Sequence, residues 1–435
     1  MRCSWLGLTA ILAALLGALA VSVPAQQAVL AERLPNGLTV LVRENPAAPV
    51  VAVSLFVRVG SRWETDENAG VSNLLQQLLV KGTHSRSALE IAEAAERIGG
   101  SLGASADTDF SEVRGTALAR HWSRLLELIA DVTLRPSLPA AELESERRIV
   151  LSGIRNRQDQ PSPLAFDTLM TRLYPEHPYG RPSAGRAPSV QRLDRDAVVA
   201  HYQRYYRASR MVLSVSGDVP GREVAREAAR RFADARAGDG GPDPALSEAV
   251  ALADRTVVAR PSAQTQVLIG FSAAPMSHGD YAAVKVLATT LGGGMAGRMF
   301  TEIRDKQGLA YSSGAVYPSR VGQGFFLAQL GTAPANAGRA EAALLREIDR
   351  LRQERLEVAA LQRAKSYLLG QFMLDRRTNA RLAWYEGFFE IMGVGHDFAD
   401  RYVRAVEAVT AEDVQRVAGT YLSRPTSVIL GPTTP

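Results

Sequence analysis

Chemistry in this chain would have to come from a small set of side chains. Residues 70–83 read GVSNLLQQLLVKGT. Val71, Leu74, Leu75, Leu78 and Leu79 fall at the i, i+3, i+4, i+7, i+8 spacing of a helix with one buried stripe. Asn73, Gln76 and Gln77 follow the same spacing on the other side, which predicts three carboxamides on one face. An amide can hydrogen-bond, but it takes no proton from water and is a poor metal donor. Read alone, this is a solvated polar face, although the other exposed helix faces of the chain use Arg and Glu instead. A second stretch, residues 292–312, reads GGGMAGRMFTEIRDKQGLAYS. Its glycines invite comparison with a phosphate loop. Met295 follows them where a Lys-Ser or Lys-Thr would be needed, and no GxGxxG opens a helix after a strand, so phosphate binding is excluded. On spacing alone, Arg304 pairs with an acid on its own helix and Tyr311 packs as a core strand residue. His84, His121, His177, His201, His278 and His396 form no pair at metal-ligand spacing, and His177 within HPYG reads as a packed structural residue.

The elements that position these residues follow from periodicity. Gly37 to Val42 and Val50 to Val59 read as strands, Ala69 to Lys81 as a helix, and Ser87 to Ile98 as a helix opened by the capping box Ser87-x-x-Glu90 and closed by Gly99-Gly100. Ala104 to Leu118 alternates like one strand with an exposed face, and Arg120 to Val132 and Pro139 to Arg157 read as helices. Strands followed by runs of helices predict an α+β layer. The Gly-, Pro- and Asp-rich stretch within residues 236–250 reads as a linker between an N-terminal domain, 28–235, and a C-terminal domain, 251–435. The two ends resemble one another. Residues 197–219 and 410–433 both run helix, tyrosine-bearing turn and short apolar strand, closed by Gly217 and Gly431, which suggests a duplicated domain.

Composition and the N-terminus bound the function. The chain has 435 residues, 46% hydrophobic and 22% charged, which excludes a disordered polymer and fits two globular domains. The net charge of +5 comes from scattered arginines interleaved with acids, with no basic run, so nucleic acid is not an expected partner. Residues 1–25 carry Arg2, an apolar run and a small-residue cleavage pattern at Val23-Pro24-Ala25, the layout of a secretory signal peptide. The expectation is a periplasmic mature chain with no stable membrane span, an uncleaved anchor being the alternative. The only cysteine, Cys3, falls inside the signal, which removes disulfides and thiol catalysis from the mature protein.

Several of these segments carry a resemblance. GSRWE (60–64), Gly70 and LLVKGT (78–83) resemble the surroundings of the zinc site in the pitrilysin/insulinase metallopeptidase family. Active members bear an HxxEH motif there, two histidine ligands and a glutamate base. The resemblance places the first histidine on Asn73, the glutamate on Gln76 and the second histidine on Gln77. The family's third ligand, a glutamate in a VVLEEI-like stretch, falls on Gly153 in IVLSGI, with Ser152 at the preceding acid. All these positions are therefore degenerate, and the resemblance implies no metal and no cofactor in this chain. RNRQDQP and YPEHPYGRP further on are similar to the family too. FTEIRDKQGLAYS resembles its C-terminal domain, where an arginine and a tyrosine, here Arg304 and Tyr311, hold the substrate backbone and stabilise the oxyanion.

The resemblance implies two homologous α+β domains, each an antiparallel-rich sheet covered by helices, forming half of a clam-like chamber. It further implies that this chain, inactive alone, is the non-catalytic subunit of a zinc-dependent peptidase heterodimer. Arg304 and Tyr311 would then act in trans on an extended peptide at the zinc site of a homologous HxxEH-bearing partner. The alternative is a structural or peptide-binding protein of the same fold with no role in proteolysis.

Overall fold

The computed structural model describes residues 28–432, so the signal-peptide reading of residues 1–25, with Cys3, lies outside them. The N-terminal half builds six strands: β1 (Leu30–Arg33), β2 (Thr39–Glu44), β3 (Val50–Val57), β4 (Ser101–Ala106), β5 (Ser111–Leu118) and β6 (Met211–Gly217). They form one sheet in the order β1-β2-β6-β3-β5-β4. The C-terminal half builds β7 (Arg255–Ala259), β8 (Thr265–Ala273), β9 (Ser312–Val316), β10 (Gly324–Thr332) and β11 (Thr426–Gly431), ordered β7-β11-β8-β10-β9. In each sheet one pair is parallel, β2 with β6 and β7 with β11, and every other pair is antiparallel. Without β1, the first sheet has the same strand order as the second. The duplication suggested by the matching ends is thus a duplicated topology, in which β6 and β11, the two repeated strands, take equivalent places.

The helices form where apolar spacing and caps require them. Val71–Leu79 buries all five residues of its stripe, each such burial contributing roughly 1.5–3 kcal/mol. Ala88–Arg97 opens with the expected capping box: Ser87 Oγ accepts from the Glu90 N–H at 3.3 Å, and Glu90 Oε2 accepts from the Ser87 N–H at 2.7 Å. The segment 104–118, expected as one strand, is a hairpin in which β4 turns at Asp107–Phe110 into β5. Its alternation runs through a turn that contains neither Gly nor Pro, so periodicity alone conceals the break.

The two halves exchange a helix. The long helix Ala140–Asp159 stops at Pro161, which begins a new helix, Pro161–Leu173. This second helix leaves its own sheet and packs on the other one. Leu169, Met170 and Leu173 meet Leu268, Phe325, Leu327, Val428 and Leu430. Reciprocally, Val358–Asp375 is followed by Asn379–Ile391, whose Trp384 packs with Phe56 and whose Phe388 packs with Phe110 of the first half. A glycine permits each approach. A Cβ on Gly270 would lie 2.7 Å from Leu173 Cδ1, and one on Gly387 would lie 2.5 Å from the Phe56 ring. A buried ion pair, Arg43 with Glu386, fastens the second helix to β2. Between the helix Gly221–Arg231 and β7 there is neither helix nor strand. No helix among the described residues is long and apolar enough to cross a membrane.

Candidate functional site

The helix Val71–Leu79 is held at its N-terminus by one buried carboxylate. Glu64 accepts from the backbone N–H groups of Gly70 at 2.7 Å and Ser72 at 2.8 Å, satisfying donors that a helix start leaves open. Burial pushes the Glu64 carboxyl above its ordinary range, against the pull of those hydrogen bonds. Asn73 and Gln77 lie one turn apart and are partly exposed. Gln76 departs from the expected solvated face, being fully buried with its Nε2 donating to the Tyr206 hydroxyl. Its Oε1 has no partner among the described residues. The reason is angular: position 76 turns away from 73 and 77 toward the core beneath the sheet, where Tyr206 waits.

Ser72 Oγ lies 3.1 Å from His201 Nε2. Burial, aided by Arg204, lowers the His201 imidazole from 6.5 to about 4, so it is neutral at pH 7 and serves as a core residue. An unfolded histidine protonates near 6.5. The stability linked to His201 is therefore complete above about pH 6.5 and is lost as pH falls toward 4, at about 1.4 kcal/mol per pH unit. Urea midpoints measured between pH 7 and pH 4 should fall less steeply in His201→Gln than in the native chain. Parallel curves would contradict this assignment.

Gly153 lies on the exposed side of Ala140–Asp159, the helix that packs against Val71–Leu79. Nothing lies within 4 Å of where its Cβ would be, so packing leaves room for a carboxylate that the sequence does not supply. Two amides with accessible positions, one buried amide and a glycine do not fit zinc, which requires imidazole, thiolate or carboxylate donors. No group of three His, Cys, Asp or Glu among the described residues is arranged to hold a metal ion.

Arg304 and Tyr311 belong to the other half. Arg304 lies in a π-helical segment, Met299–Asp305, a rare geometry often found at functional sites. Met299 and Ile303 anchor that segment in the core, while Arg304 is exposed, its guanidinium 4.8 Å from the Phe300 ring centroid. Its neighbouring acid Glu302 is taken by Lys306 at 2.9 Å, so the helix-pair reading of Arg304 fails. Tyr311 is 62% exposed, so the core-residue reading fails as well. Its backbone N–H is tied to the Gly331 carbonyl at 2.9 Å, just ahead of the edge strand β9. Neither the Arg304 guanidinium nor the Tyr311 hydroxyl has a hydrogen-bond partner among the described residues.

A polar junction that local spacing did not reveal lies where the halves meet. Buried Asp109, in the β4–β5 turn, accepts from the Tyr179 hydroxyl at 2.9 Å, from Arg62 at 3.2 Å and from the Val321 N–H at 3.3 Å. The Tyr179 oxygen in turn accepts from the Gly322 N–H at 2.9 Å, and Arg320 pairs with Asp107 at 3.0 Å. Burial raises the Asp109 carboxyl, opposed by Arg320 and Arg62. HPYG was the one signal pointing here. His177 is packed between Tyr174 and Tyr179 and accepts from the Tyr179 N–H at 3.1 Å, a structural role.

The geometry first defines a class, a duplicated α+β chain with an exposed arginine and tyrosine in one half and, among the described residues, no metal-binding cluster in the other. Comparison with known proteins names the class. Residues 39–186 match Insulinase (Peptidase family M16), and residues 192–368 match the Peptidase M16 inactive domain. A protein named uncharacterized zinc protease from Mycobacterium tuberculosis is 31% identical over 417 residues, 92% of each chain. One of the same name from Bacillus subtilis is 26% identical over 384 residues, 88% of this chain and 93% of that one. A solved M16 inactive-domain structure from Pseudomonas fluorescens superposes with a TM-score of 0.86 at 25% identity, covering 94% of this chain and 99% of that one. A protease structure from Helicobacter pylori shares the fold, with a TM-score of 0.88 at 22% identity, covering 94% and 100%. The chain belongs to the insulinase family, peptidase family M16.

Proposed function

We infer that this chain is the non-catalytic subunit of a periplasmic zinc-dependent peptidase heterodimer. One observation carries the reading: no donor position bears a zinc-binding side chain, whereas Arg304 and Tyr311 are exposed and neither side chain has a hydrogen-bond or ion-pair partner among the described residues. Losing one ligand weakens a metal site; losing all three and the base removes both metal and general base. An exposed arginine and tyrosine with no ion pair or side-chain hydrogen bond among the described residues remain able to contact something outside the chain.

In this reading a homologous HxxEH-bearing chain supplies the zinc and the base. The two chains close around a chamber, and the π-helix and the β9 edge present Arg304 and Tyr311 to an extended peptide. The guanidinium would hold a backbone carbonyl and the hydroxyl would donate to the developing oxyanion, a contribution made only in the transition state. Family relatives named zinc proteases support a proteolytic setting, and the Insulinase match over residues 39–186 spans Asn73, Gln76, Gln77 and Gly153, the positions whose side chains offer no zinc donor.

Equilibrium dialysis of the isolated mature chain against zinc, followed by a peptidase assay, tests the first half of the reading. The expected result is no stoichiometric zinc and no chelator-sensitive hydrolysis. One tightly bound zinc per chain with chelator-sensitive turnover would make it an active peptidase with unorthodox ligands.

A further inference from the structure

A cavity of about 910 Å³ lies where the two halves meet, apart from both Asn73/Gln77 and Arg304/Tyr311. It is walled by the β4–β5 turn, the start of the helix Tyr281–Gly292, the β9–β10 turn and the exchanged helix Asn379–Ile391. Its size is that of a small-ligand site. Phe110, Phe372, Trp384, Phe388 and Phe398 give it an aromatic interior, with Trp384 and Phe388 stacked at 4.5 Å and 11°.

The charges around this interior do not cancel. Asp107 is paired with Arg320 at 3.0 Å. Asp375 receives Arg381 Nε at 3.1 Å and the Tyr385 hydroxyl at 2.6 Å. Both lining carboxylates are thus occupied. Lys285 makes one hydrogen bond, to the Tyr317 carbonyl at 2.7 Å, and Arg377 makes one, to the Leu374 carbonyl at 2.6 Å. Neither has a carboxylate partner among the described residues; the Lys285 ammonium otherwise lies over the rings of Tyr281 at 5.1 Å and Tyr317 at 5.2 Å, contacts that leave its charge without a counter-ion. An aromatic chamber with surplus positive charge complements a bulky apolar group that carries a carboxylate beside it.

Position identifies the occupant. Arg381 and Trp384 also wall a second cavity of about 500 Å³, on the part of the first sheet's face that the exchanged helix leaves uncovered, next to the edge strand β4. Ser54, Ser101, Glu112 and Arg114 line that cavity. The two cavities are adjoining sockets along one track, an arrangement that suits an extended chain better than a compact small molecule.

We propose that the aromatic cavity anchors an extended peptide by one aromatic side chain, with a neighbouring carboxylate of that peptide held by Lys285. The proposal rests on reading the chain as a peptide-handling subunit and assigns it a sequence preference of its own. Fluorescein-labelled Gly-Gly-Phe-Glu-Gly-Gly amide, with its Phe→Ala and Glu→Gln versions, is titrated into the isolated mature chain by anisotropy. The expected result is at least tenfold weaker binding on losing the phenylalanine and severalfold weaker binding on losing the glutamate. Lys285→Met should abolish the preference for Glu over Gln and keep the preference for Phe. Gln371→Trp, which places a large ring at the exposed rim, should abolish both. Equal affinity for all three peptides, or unchanged preferences in both variants, would overturn the proposal. So would binding of sodium laurate without binding of any peptide. Because no zinc-bearing partner is present, a negative result here leaves the heterodimer reading standing, and peptide binding would survive the loss of that reading.

Discussion

Replacing Asp109 with alanine is expected to cost about 3–5 kcal/mol of folding stability, the usual loss when one partner of a buried ion pair is removed. The size follows from what is left behind. Arg62 is buried and would lose the nearer of its two carboxylates, at 3.2 Å, keeping only the half-exposed Asp243 at 3.6 Å, and the Tyr179 hydroxyl would lose its acceptor at 2.9 Å. The same change removes the hydrogen bonds that the β4–β5 turn makes through Asp109 to Val321 and Tyr179, while the Asp107–Arg320 pair still joins that turn to the second half. Asp109→Asn keeps an acceptor for Tyr179 but not the charge opposite Arg62, and should lose less. Urea denaturation of the three proteins at pH 7 measures the series. A loss below about 1 kcal/mol for Asp109→Ala would place the junction with ordinary surface ion pairs.

The second large effect is catalytic. In the heterodimer, Arg304→Ala should lower kcat by about 10²–10³, the scale seen when one oxyanion donor is removed. KM should change less, and assembly should be unaffected, because Arg304 is exposed and makes no ion pair among the described residues. Tyr311→Phe removes one hydroxyl from an exposed ring and should lower kcat without altering the melting temperature. Turnover unchanged by both substitutions, with the heterodimer intact, would show the pair to be inherited and idle, and would favour the structural or peptide-binding alternative.

What the sequence revealed and what it hid have separate physical causes. Helix Val71–Leu79 and the Ser87 capping box were legible because each depends on contacts three or four residues apart. The repeat was legible because β6 and β11 carry the same local word into equivalent places in two sheets. The emptied donor positions were legible because side-chain identity alone decides whether zinc can bind. The β4–β5 hairpin was hidden by alternation that continues through an ordinary-looking turn. The helix exchange was hidden because Pro161 marks a break but not a destination; which sheet receives Pro161–Leu173 is decided by Gly270 and its neighbours, more than ninety residues away. Gln76 read as solvated because its partner, Tyr206, lies on another element. The Asp109 junction joins four segments distant in sequence, and no local spacing encodes it.

The proposed function joins the two halves: the positions without zinc donors in one, and the exposed Arg304 and Tyr311 in the other, are read as parts of a subunit that serves a partner's site. The most direct measurement is affinity purification of the protein from the cells that produce it, with the co-purifying chains identified by mass spectrometry. The account predicts a stoichiometric partner of similar size that carries HxxEH and the distal glutamate. Recovery of this chain alone, as a monomer or homodimer, would contradict it.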